Sequence, residues 1–200
     1  MNAHVYIVDD DPAIRDALGS LLTDAGLQVQ SYADGDAFLA SSLPQRPACV
    51  LLDVAMPGMS GYEVQAALSE RGLQIPVIYL TGHGDVPMAV RAMQAGAVDF
   101  LQKPVRRVEL LQRVRRALEL DARLHEEEEA EHQARRNYAS LSPREQEVMA
   151  LVVAGLSSKE IARQLGVSDR TVHTHRAHVM LKMQAANVAE LVRIASICNA

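Results

Sequence analysis

Short apolar runs that end beside polar residues place the strongest constraint on the fold of this chain. Mainly apolar runs occupy residues 5–8, 49–52, 77–80 and 98–101, and a weaker run occupies residues 27–32. Such runs predict strands that are buried on both faces of a sheet. Because a helical pattern follows each run, we expect an α/β domain with a doubly wound, five-stranded parallel sheet.

Polar residues follow the predicted strands at the edge of the sheet where ligands collect. They are Asp9, Asp10, Asp53, Thr81 and Lys103. The carboxyl ends of neighbouring parallel strands lie side by side, so these side chains should share one crevice. The sequence therefore predicts that three carboxylates, a hydroxyl and an ammonium group meet there.

The charges in this crevice predict a metal site. Three carboxylates a few ångströms apart repel one another unless a cation lies between them, and oxygen ligands favour a hard cation such as Mg²⁺. The cation could also hold one phosphoryl oxygen, while Lys103 neutralises a second and Thr81 bonds a third. Asp53, central in the group, is then the expected phosphoryl acceptor.

A resemblance to the receiver domains of two-component response regulators covers about the first 120 residues. It is carried by residues 8–11 (Val-Asp-Asp-Asp), 52–61 (Leu-Asp-x-x-Met-Pro-Gly-Met-Ser-Gly), 80–85 (Leu-Thr-Gly-His-Gly-Asp) and 100–104 (Phe-Leu-x-Lys-Pro). Residues 82–90 (Gly-His-Gly-Asp-Val-Pro-Met-Ala-Val) most resemble the FixJ type.

The resemblance implies that a sensor histidine kinase phosphorylates Asp53. Asp10 and Asp53 would bind Mg²⁺ directly, with support from Asp9. The carbonyl group of Ala55 would complete the metal site, and Lys103 would contact the phosphoryl group.

The resemblance also implies a switch and a dimer. Thr81 and Phe100 would form a switch pair, although Phe100 could instead serve only as a core residue. In FixJ-type proteins the surface beside this pair is a dimer interface, and its candidates here are Val90, Gln94 and Val98. We therefore expect a homodimer that depends on phosphorylation.

A helical pattern after the last run offers a second way to pair two chains. Leu111, Val114 and Leu118 keep a heptad-like spacing, which favours a coiled coil before any phosphorylation. Asp121 and His125 then interrupt that seam. The two modes of pairing predict different masses for the unmodified protein.

Residues 141–196 carry the signals of four short helices. Capping boxes begin at Ser142 and Ser157, where each serine precedes a glutamate by three residues. Gly166 suits a helix end, and a short turn leads from it into a helix that begins near Asp169. These features predict an all-α domain with a helix-turn-helix.

The helix that begins near Asp169 has two different faces. One stripe, Val172, His175, Val179 and Met183, should pack against Val148, Leu151, Ile161 and Leu165. The opposite face is polar and compact, as a recognition helix in the major groove requires. The expected DNA-contacting residues are Lys159, Ser168, Arg170, Thr171, His173, Thr174, Arg176, Ala177, His178 and Lys182. His173 and Thr174 are assigned to base edges, and Lys159 and Lys182 to phosphates.

This segment resembles the output domain of the LuxR/NarL family. The matching residues are 141–148 (Leu-Ser-Pro-Arg-Glu-x-Glu-Val), 154–162 (Ala-Gly-Leu-Ser-x-Lys-Glu-Ile-Ala) and 167–175 (Val-Ser-x-Arg-Thr-Val-x-x-His). The resemblance implies promoter DNA and RNA polymerase as partners, and the FixJ type favours activation of transcription. His173 and Thr174 stand where that type usually has Glu and Val, so the operator sequence is expected to differ.

Charge supports a division into domains. The net charge is −4 over residues 1–124, −3 over 125–140 and +2 over 141–200. The acidic middle stretch has no helix breaker, so it predicts a solvated helix that continues the one beginning near Val105. We predict a receiver at residues 1–120, a helical linker at 121–139 and a LuxR/NarL-type DNA-binding domain at 140–200.

Other functions share parts of this pattern. A phosphatase that uses an aspartyl phosphate places a second aspartate two residues after the nucleophile, but this chain has Ala55 there. A quorum-sensing regulator would have a ligand pocket in place of the receiver pattern. A phosphorylation-independent receiver would not require the full set of carboxylates. We therefore expect a regulator and not an enzyme.

Two further histidine features have competing interpretations. His175 and His178 could form a zinc pair, but a packed core position is favoured for His175. His83, two residues after Thr81, either shapes its loop or influences phosphoryl hydrolysis.

The sequence also predicts a cellular compartment. No apolar stretch has the length of a signal peptide or of a membrane span, so we expect a cytoplasmic protein without membrane contact. Cys49 and Cys198 form no disulfide framework, which suits a reducing compartment.

Overall fold

The structure is a computed structural model, and it describes residues 3–42, 45–82, 90 and 92–198. The chain divides into two compact units, residues 1–125 (the first unit) and residues 126–200 (the second unit). Among the described residues, no helix has both the length and the apolar composition that a membrane span requires.

In the described part of the first unit, a parallel sheet of five strands forms the centre. The strands are β1 (His4–Val8), β2 (Gln28–Tyr32), β3 (Ala48–Asp53), β4 (Val77–Thr81) and β5 (Asp99–Gln102). Their order across the sheet is β2-β1-β3-β4-β5, and every neighbouring pair is parallel. The predicted sheet is therefore confirmed.

Helices connect or follow these strands. They are α1 (Pro12–Asp24), α2 (Gly35–Ala40), α3 (Gly61–Glu70) and α4 (Arg107–Ala139). The side chains of Asp11, Asp34 and Ser60 begin the first three helices by accepting backbone N–H groups. The helix expected to begin near Val105 begins at Arg107 and includes the acidic stretch, as predicted.

Helices cover both faces of the sheet. Val5 belongs to a core that includes Leu110 of α4, whereas Tyr6 belongs to a second core with Phe38 of α2 and Val64 of α3. Successive strand residues point to opposite faces, so an unbroken apolar run fills both cores. The central strands β1, β3 and β4 are buried along nearly their whole length for this reason.

The two edge strands are less buried than predicted. In β5 only Leu101 is buried, and the strand begins at Asp99 instead of Val98. The expectation that the run at residues 98–101 is buried on both faces is therefore wrong. An edge strand has a neighbour on one side only, and Asp99 pairs with Arg113 at 2.8 Å.

The heptad-like residues of α4 do not form an exposed seam. Val114 and Leu118 are buried, and Leu111 packs against the same core under the sheet. Their apolar spacing therefore reflects packing inside the first unit. Pairing two chains through these residues would expose the core, so their burial argues against the coiled-coil alternative.

A buried ion pair ties α4 to the amino end of β3. Asp121 is fully buried, and Oδ1 lies 2.8 Å from Nη2 of Arg46. The other oxygen of Asp121 accepts the backbone N–H of Ala48 at 2.7 Å. Asp121 was predicted to begin the linker, but its contacts lie with the sheet.

In the described part of the second unit, four helices follow α4. They are α5 (Pro143–Val153), α6 (Ser158–Leu165), α7 (Asp169–Lys182) and α8 (Val188–Cys198). Val172, Val179 and Met183 are buried together with Val148 and Ile161 in one core, as the predicted stripe requires.

Local signals define where these helices begin and end. Both predicted capping boxes, Ser142 with Glu145 and Ser157 with Glu160, are present. Gly166 ends α6 with a φ of 66°, a left-handed conformation that glycine adopts without strain. The turn from α6 to α7 therefore follows directly from the residue types.

The segment that begins α5 holds both helices of the helix-turn-helix. Arg144 donates to the carbonyl of Leu165, the last residue of α6, at 2.8 Å. Glu145 is 4% exposed, and its carboxylate accepts the ammonium of Lys182 in α7 at 2.6 Å. His178 lies farther from the same carboxylate, at 3.6 Å. The position of α7 therefore depends on Glu145.

The buried Asp121 predicts a large loss of stability on truncation. Asp121→Ala removes the carboxylate that accepts from Arg46 and from the buried N–H of Ala48, so the free energy of unfolding should fall by about 3 kcal/mol. Urea denaturation followed by circular dichroism would measure this change. Glu119→Ala, on the exposed side of α4, is the matched control. Equal effects of the two substitutions would contradict the assigned role of Asp121.

The second unit should lose stability in acid through Glu145. Hydrogen bonds from Lys182 and the Ser142 backbone lower the pKa of Glu145 to about 2. The folded state therefore binds this proton less tightly than the unfolded chain, and the stabilisation is lost as pH falls from about 4.5 to about 2. The difference in Tm between the wild type and Glu145→Gln should shrink over that range. Glu147→Gln serves as control, and a constant difference for Glu145→Gln would refute the prediction.

Candidate functional site

Three carboxylates converge at the carboxyl ends of the neighbouring strands β1 and β3. Asp9 and Asp10 directly follow β1, and Asp53 is the last residue of β3. One carboxylate oxygen from each residue lies within 4.8 Å of the others. Doubly wound sheets bind ligands where the strand order reverses, as it does between β1 and β3. Asp10 is exposed and Asp9 is buried, so the cluster opens on one side.

The ammonium group of Lys103 bridges two of these carboxylates. Its Nζ atom lies 2.5 Å from Oδ2 of Asp9 and 2.6 Å from Oδ2 of Asp53. The backbone N–H of Lys103 donates to the carbonyl of Thr81 at 2.7 Å, which holds the loop after β5 against the end of β4. Residues at or just beyond the carboxyl ends of β1, β3, β4 and β5 are thus linked to one another.

Burial and ion pairing act in opposite directions on these charges. Burial raises the pKa of Asp9 above its ordinary value, although the hydrogen bond from Lys103 lowers it in part. Burial alone would lower the pKa of Lys103, but its bonds to Asp53 and Asp9 raise it overall. One ammonium group therefore does not fully offset the burial of Asp9, and a hard cation among these oxygen atoms would be favourable.

Hydrogen bonds shape the loop that carries Asp9 and Asp10. The guanidinium of Arg15 donates to the carbonyl oxygens of both residues, at 2.7 and 3.0 Å. The N–H of Asp11 donates to Oδ1 of Asp9 at 3.0 Å. Arg15 was not among the predicted site residues. Its place one helical turn after Asp11, the N-cap of α1, is the signal that could have found it.

The loop after β3 is held closely as well. The N–H of Ala55 donates to Oδ1 of Asp53 at 3.1 Å. Gly61, the first residue of α3, packs so near that a Cβ atom there would clash with the carbonyl oxygen of Asp53. Gly61 is a second unpredicted site residue, and it is glycine because no side chain fits that approach.

The predicted switch residues lie on neighbouring strands. Thr81 ends β4 and is 2% exposed, whereas Phe100 lies in β5 and packs against the core of Tyr79. The register pairs Tyr79 with Phe100, so these two residues lie side by side in the sheet. The structure therefore places Phe100 against the core and beside the middle of β4, two residues before Thr81 in the register.

The three residues predicted to contact the partner in a dimer are all at least partly exposed. Val90 is 48% exposed, Gln94 is exposed and Val98 is partly exposed. Met93 beside them is 52% exposed. His83 lies outside the described residues, as do the rest of residues 83–89 and residue 91.

Most predicted DNA-contacting residues lie on α7 or at its start. The exposed ones are Ser168, Arg170, His173, Thr174, Ala177 and His178; the partly buried ones are Thr171, Arg176 and Lys182. Lys159 is exposed on α6. The surface is therefore formed by the two helices that Arg144 and Glu145 hold in place.

Local bonds already engage several of these side chains. The hydroxyl groups of Ser168 and Thr171 lie 2.7 Å apart, and Ser168 caps α7 by accepting the N–H of Thr171. Thr174 donates its hydroxyl to the carbonyl of Arg170 at 3.1 Å, which leaves its oxygen free to accept. Lys182 could reach a phosphate only by sharing or leaving the carboxylate of Glu145.

The histidines of α7 belong to no group of three or more possible metal ligands within the part of the chain that the structure describes. Among the described residues, the one group of three or more possible metal ligands is Asp9, Asp10 and Asp53. His175 is half-buried, and its Nδ1 atom has no hydrogen-bond partner in the described structure. This position agrees with the packed role that was favoured for His175.

Two family models match the chain. The model described as the response regulator receiver domain matches residues 5–115, and the model for bacterial regulatory proteins of the luxR family matches residues 139–195. The first match covers the acidic site, and the second covers the helix-turn-helix. A receiver implies a histidine kinase as partner, and the second domain implies DNA binding. The phosphatase and quorum-sensing alternatives account for neither this pair of domains nor their order.

Known proteins show the same combination over the whole chain. The regulatory protein FixJ of Azorhizobium caulinodans is 44% identical over 96% of this chain and 90% of its own length. Nodulation protein W of Bradyrhizobium diazoefficiens is 43% identical, over 96% of this chain and 85% of its own. The solved structure of the response regulator StyR has a TM-score of 0.88 at 39% identity and covers 98% of this chain and 99% of that one. The chain therefore belongs to the FixJ-type two-component response regulators, which are transcription regulators with a receiver and a LuxR-family DNA-binding domain.

Proposed function

We propose that Asp53 accepts a phosphoryl group from a partner sensor histidine kinase. The observation that carries this proposal is the convergence of Asp53 with two more carboxylates and the ammonium of Lys103 at one strand end. Asp53 is 7% exposed, so a donor can reach it, whereas Asp9 is fully buried. Among the three carboxylates, Asp53 combines access with a neighbouring positive charge.

Each oxygen of Asp53 accepts one hydrogen bond, and the two donors differ in how freely they can move. Oδ1 accepts the fixed backbone N–H of Ala55, and Oδ2 accepts the flexible ammonium of Lys103. We therefore assign Oδ2 as the nucleophile. It forms a bond to phosphorus while the bond from phosphorus to the kinase histidine breaks, and the histidine nitrogen keeps the electron pair. Lys103 then follows the negative charge to a phosphoryl oxygen.

The acidic residues would hold Mg²⁺ for this reaction. The expected direct ligands are Asp10, Asp53 and the carbonyl group of Ala55, and Asp9 would support them. When bound, the ion supplies positive charge to the phosphoryl oxygens and to the transition state. The raised pKa of Asp9 supports this proposal, because it shows a buried carboxylate whose charge Lys103 does not fully offset.

Phosphorylation would then control assembly through the exposed surface beside β5. Thr81 and Phe100 are the proposed switch pair, and Val90, Gln94 and Val98 are the proposed dimer contacts. The exposure of Val90 supports a surface that gains from burial in a twofold dimer. The buried state of the heptad-like residues in α4 supports the same choice.

The second domain would read promoter DNA as one half of a dimer. Its net charge of +2 favours weak binding to a single half-site, so two copies on one duplex are needed. His173 and Thr174 are proposed to contact base edges, and Lys159 to contact a phosphate. The proposed outcome is activation of transcription with RNA polymerase in the cytoplasm. The proposed domain limits are residues 1–120, 121–139 and 140–200.

Loss of Asp53 should abolish phosphorylation. Asp53→Asn removes the nucleophile, so labelling by radioactive acetyl phosphate should fall to background, and chelation of Mg²⁺ should have the same effect on the wild type. Asp36→Asn, at an exposed carboxylate at the start of α2, should label normally. Persistent labelling of Asp53→Asn would place the acceptor elsewhere.

The two lysines of the second domain should respond differently to substitution. Lys159→Gln should weaken binding to all sequences about equally and lower the slope of log affinity against log salt by about one. Lys182→Gln should leave that slope nearly unchanged and lower Tm instead, because its ammonium is held by Glu145. Fluorescence anisotropy with a promoter fragment at several salt concentrations would measure both.

Thr174→Ala is the control that separates phosphate from base contacts. It should change sequence preference, at a cost of about 1 to 3 kcal/mol at particular base pairs, with an unchanged salt slope. Uniform weakening by Thr174→Ala across a randomised operator library would overturn its assignment. If Lys159→Gln and Lys182→Gln lower the salt slope equally, Lys182 contacts a phosphate, as the sequence predicted.

A further inference from the structure

A chain of hydrogen bonds, buried at Tyr79 and Gln65, runs from β4 through α3 to the turn before β5. The hydroxyl of Tyr79 lies 2.6 Å from Oε1 of Gln65, and Nε2 of Gln65 lies 2.8 Å from the carbonyl oxygen of Ala95. Tyr79 is fully buried and Gln65 is 7% exposed. These bonds link α3, the middle of β4 and the turn before β5.

The chemistry of the groups determines the direction of the bonds. A carbonyl oxygen can only accept, so the amide nitrogen of Gln65 must face Ala95. Its amide oxygen then faces Tyr79, and the tyrosine must donate. The same hydroxyl lies 3.3 Å from the carbonyl of Gly61. A buried polar group that loses its partner is costly, so these bonds should persist while the elements move.

One end of this chain touches the proposed phosphorylation site. Gly61 packs directly against the carbonyl group of Asp53, and its N–H donates to the carbonyl of Val54 at 3.1 Å. A shift of the Asp53 carbonyl toward α3 would therefore press on Gly61. Gly61 begins α3, the helix that also carries Gln65.

The middle of the chain lies beside a proposed switch residue. The register pairs Tyr79 with Leu52, the residue before Asp53, and on its other side with Phe100. Tyr79 also packs against Tyr62 of α3, with ring centroids 5.1 Å apart. Tyr79 therefore contacts both α3 and the strand that carries Phe100.

The other end reaches the proposed dimer surface. Ala95 follows Gln94 directly and precedes Gly96, whose φ of 87° marks a sharp turn toward Val98. A cavity of about 370 Å³ is lined in part by Gln65, Ala95 and Val98. The turn before β5 therefore borders open volume.

We propose that Tyr79 and Gln65 are positioning residues that couple phosphorylation of Asp53 to the surface at residues 94–98. They act alongside Thr81 and Phe100 and through a different element, because α3 carries the displacement. The inference rests on the proposed function, since it requires that phosphorylation of Asp53 drives dimer formation.

The test compares the dimer dissociation constant of the full chain with and without beryllofluoride and Mg²⁺. Sedimentation equilibrium would measure both constants, and their ratio is the coupling. Tyr79→Phe keeps the ring but removes the hydroxyl, so this ratio should fall roughly three- to thirtyfold while labelling of Asp53 by acetyl phosphate is unchanged. Tyr32→Phe, whose hydroxyl bonds the exposed Gln30, should leave the ratio unaltered.

A second variant separates coupling from simple structural support. Gln65→Leu breaks the link to Ala95 but leaves Tyr79 near the carbonyl of Gly61, and it should lower the ratio as Tyr79→Phe does. If a variant only lowers Tm and leaves the ratio at the wild-type value, the bonds are structural and the proposal is overturned. If Tyr79→Phe does not fold, the ratio of dissociation constants measured for Gln65→Leu decides between the two outcomes.

The wild type separates this inference from the proposed function. Equal dissociation constants for the untreated and treated wild type would refute phosphorylation-driven dimerisation itself, and the coupling role with it. A normal wild-type ratio that both variants retain would refute the coupling role alone.

Discussion

Burial of both faces of β1, β3 and β4 is the constraint on which the first unit depends. Because helices cover each face, polar groups are tolerated only at the strand ends, and parallel pairing places the ends of β1 and β3 side by side. Asp9, Asp10 and Asp53 are therefore held within 4.8 Å of one another. Lys103, just beyond the end of β5, offsets part of their repulsion. The packing that stabilises the sheet thus creates a site that favours a further cation.

In the second unit, the short segment that begins α5 contacts both helices of the proposed DNA-binding surface. Ser142 and Glu145 begin α5, Arg144 holds the end of α6 at Leu165, and Glu145 holds Lys182 of α7. Both helices of the helix-turn-helix are therefore attached to the same few residues. The exposed face of α7 is therefore held in place by contacts within the second unit.

Much of the fold and the centre of the site could be predicted because their signals are local. An apolar run identifies a buried strand, and a serine three residues before a glutamate identifies a helix start, as at Ser142 and Ser157. Asp53 and Thr81 follow from the same reasoning, since a strand's last residue must lie at the edge of the sheet. Where the signal was ambiguous, the sequence left alternatives open: the spacing of Leu111 and Val114 suits a coiled coil and a packed helix equally well.

The sequence by itself determined the elements, their order and the chemical groups at the strand ends, because each depends on residues close together in the chain. Only the tertiary structure decided which groups meet at a distance. Asp121 pairs with Arg46 across 75 positions, and Lys182 pairs with Glu145 across 37. The link from Tyr79 to Gln65 is of the same kind. No periodicity marks such pairs, because their partners are set by how the elements pack and by the need to satisfy each buried polar group.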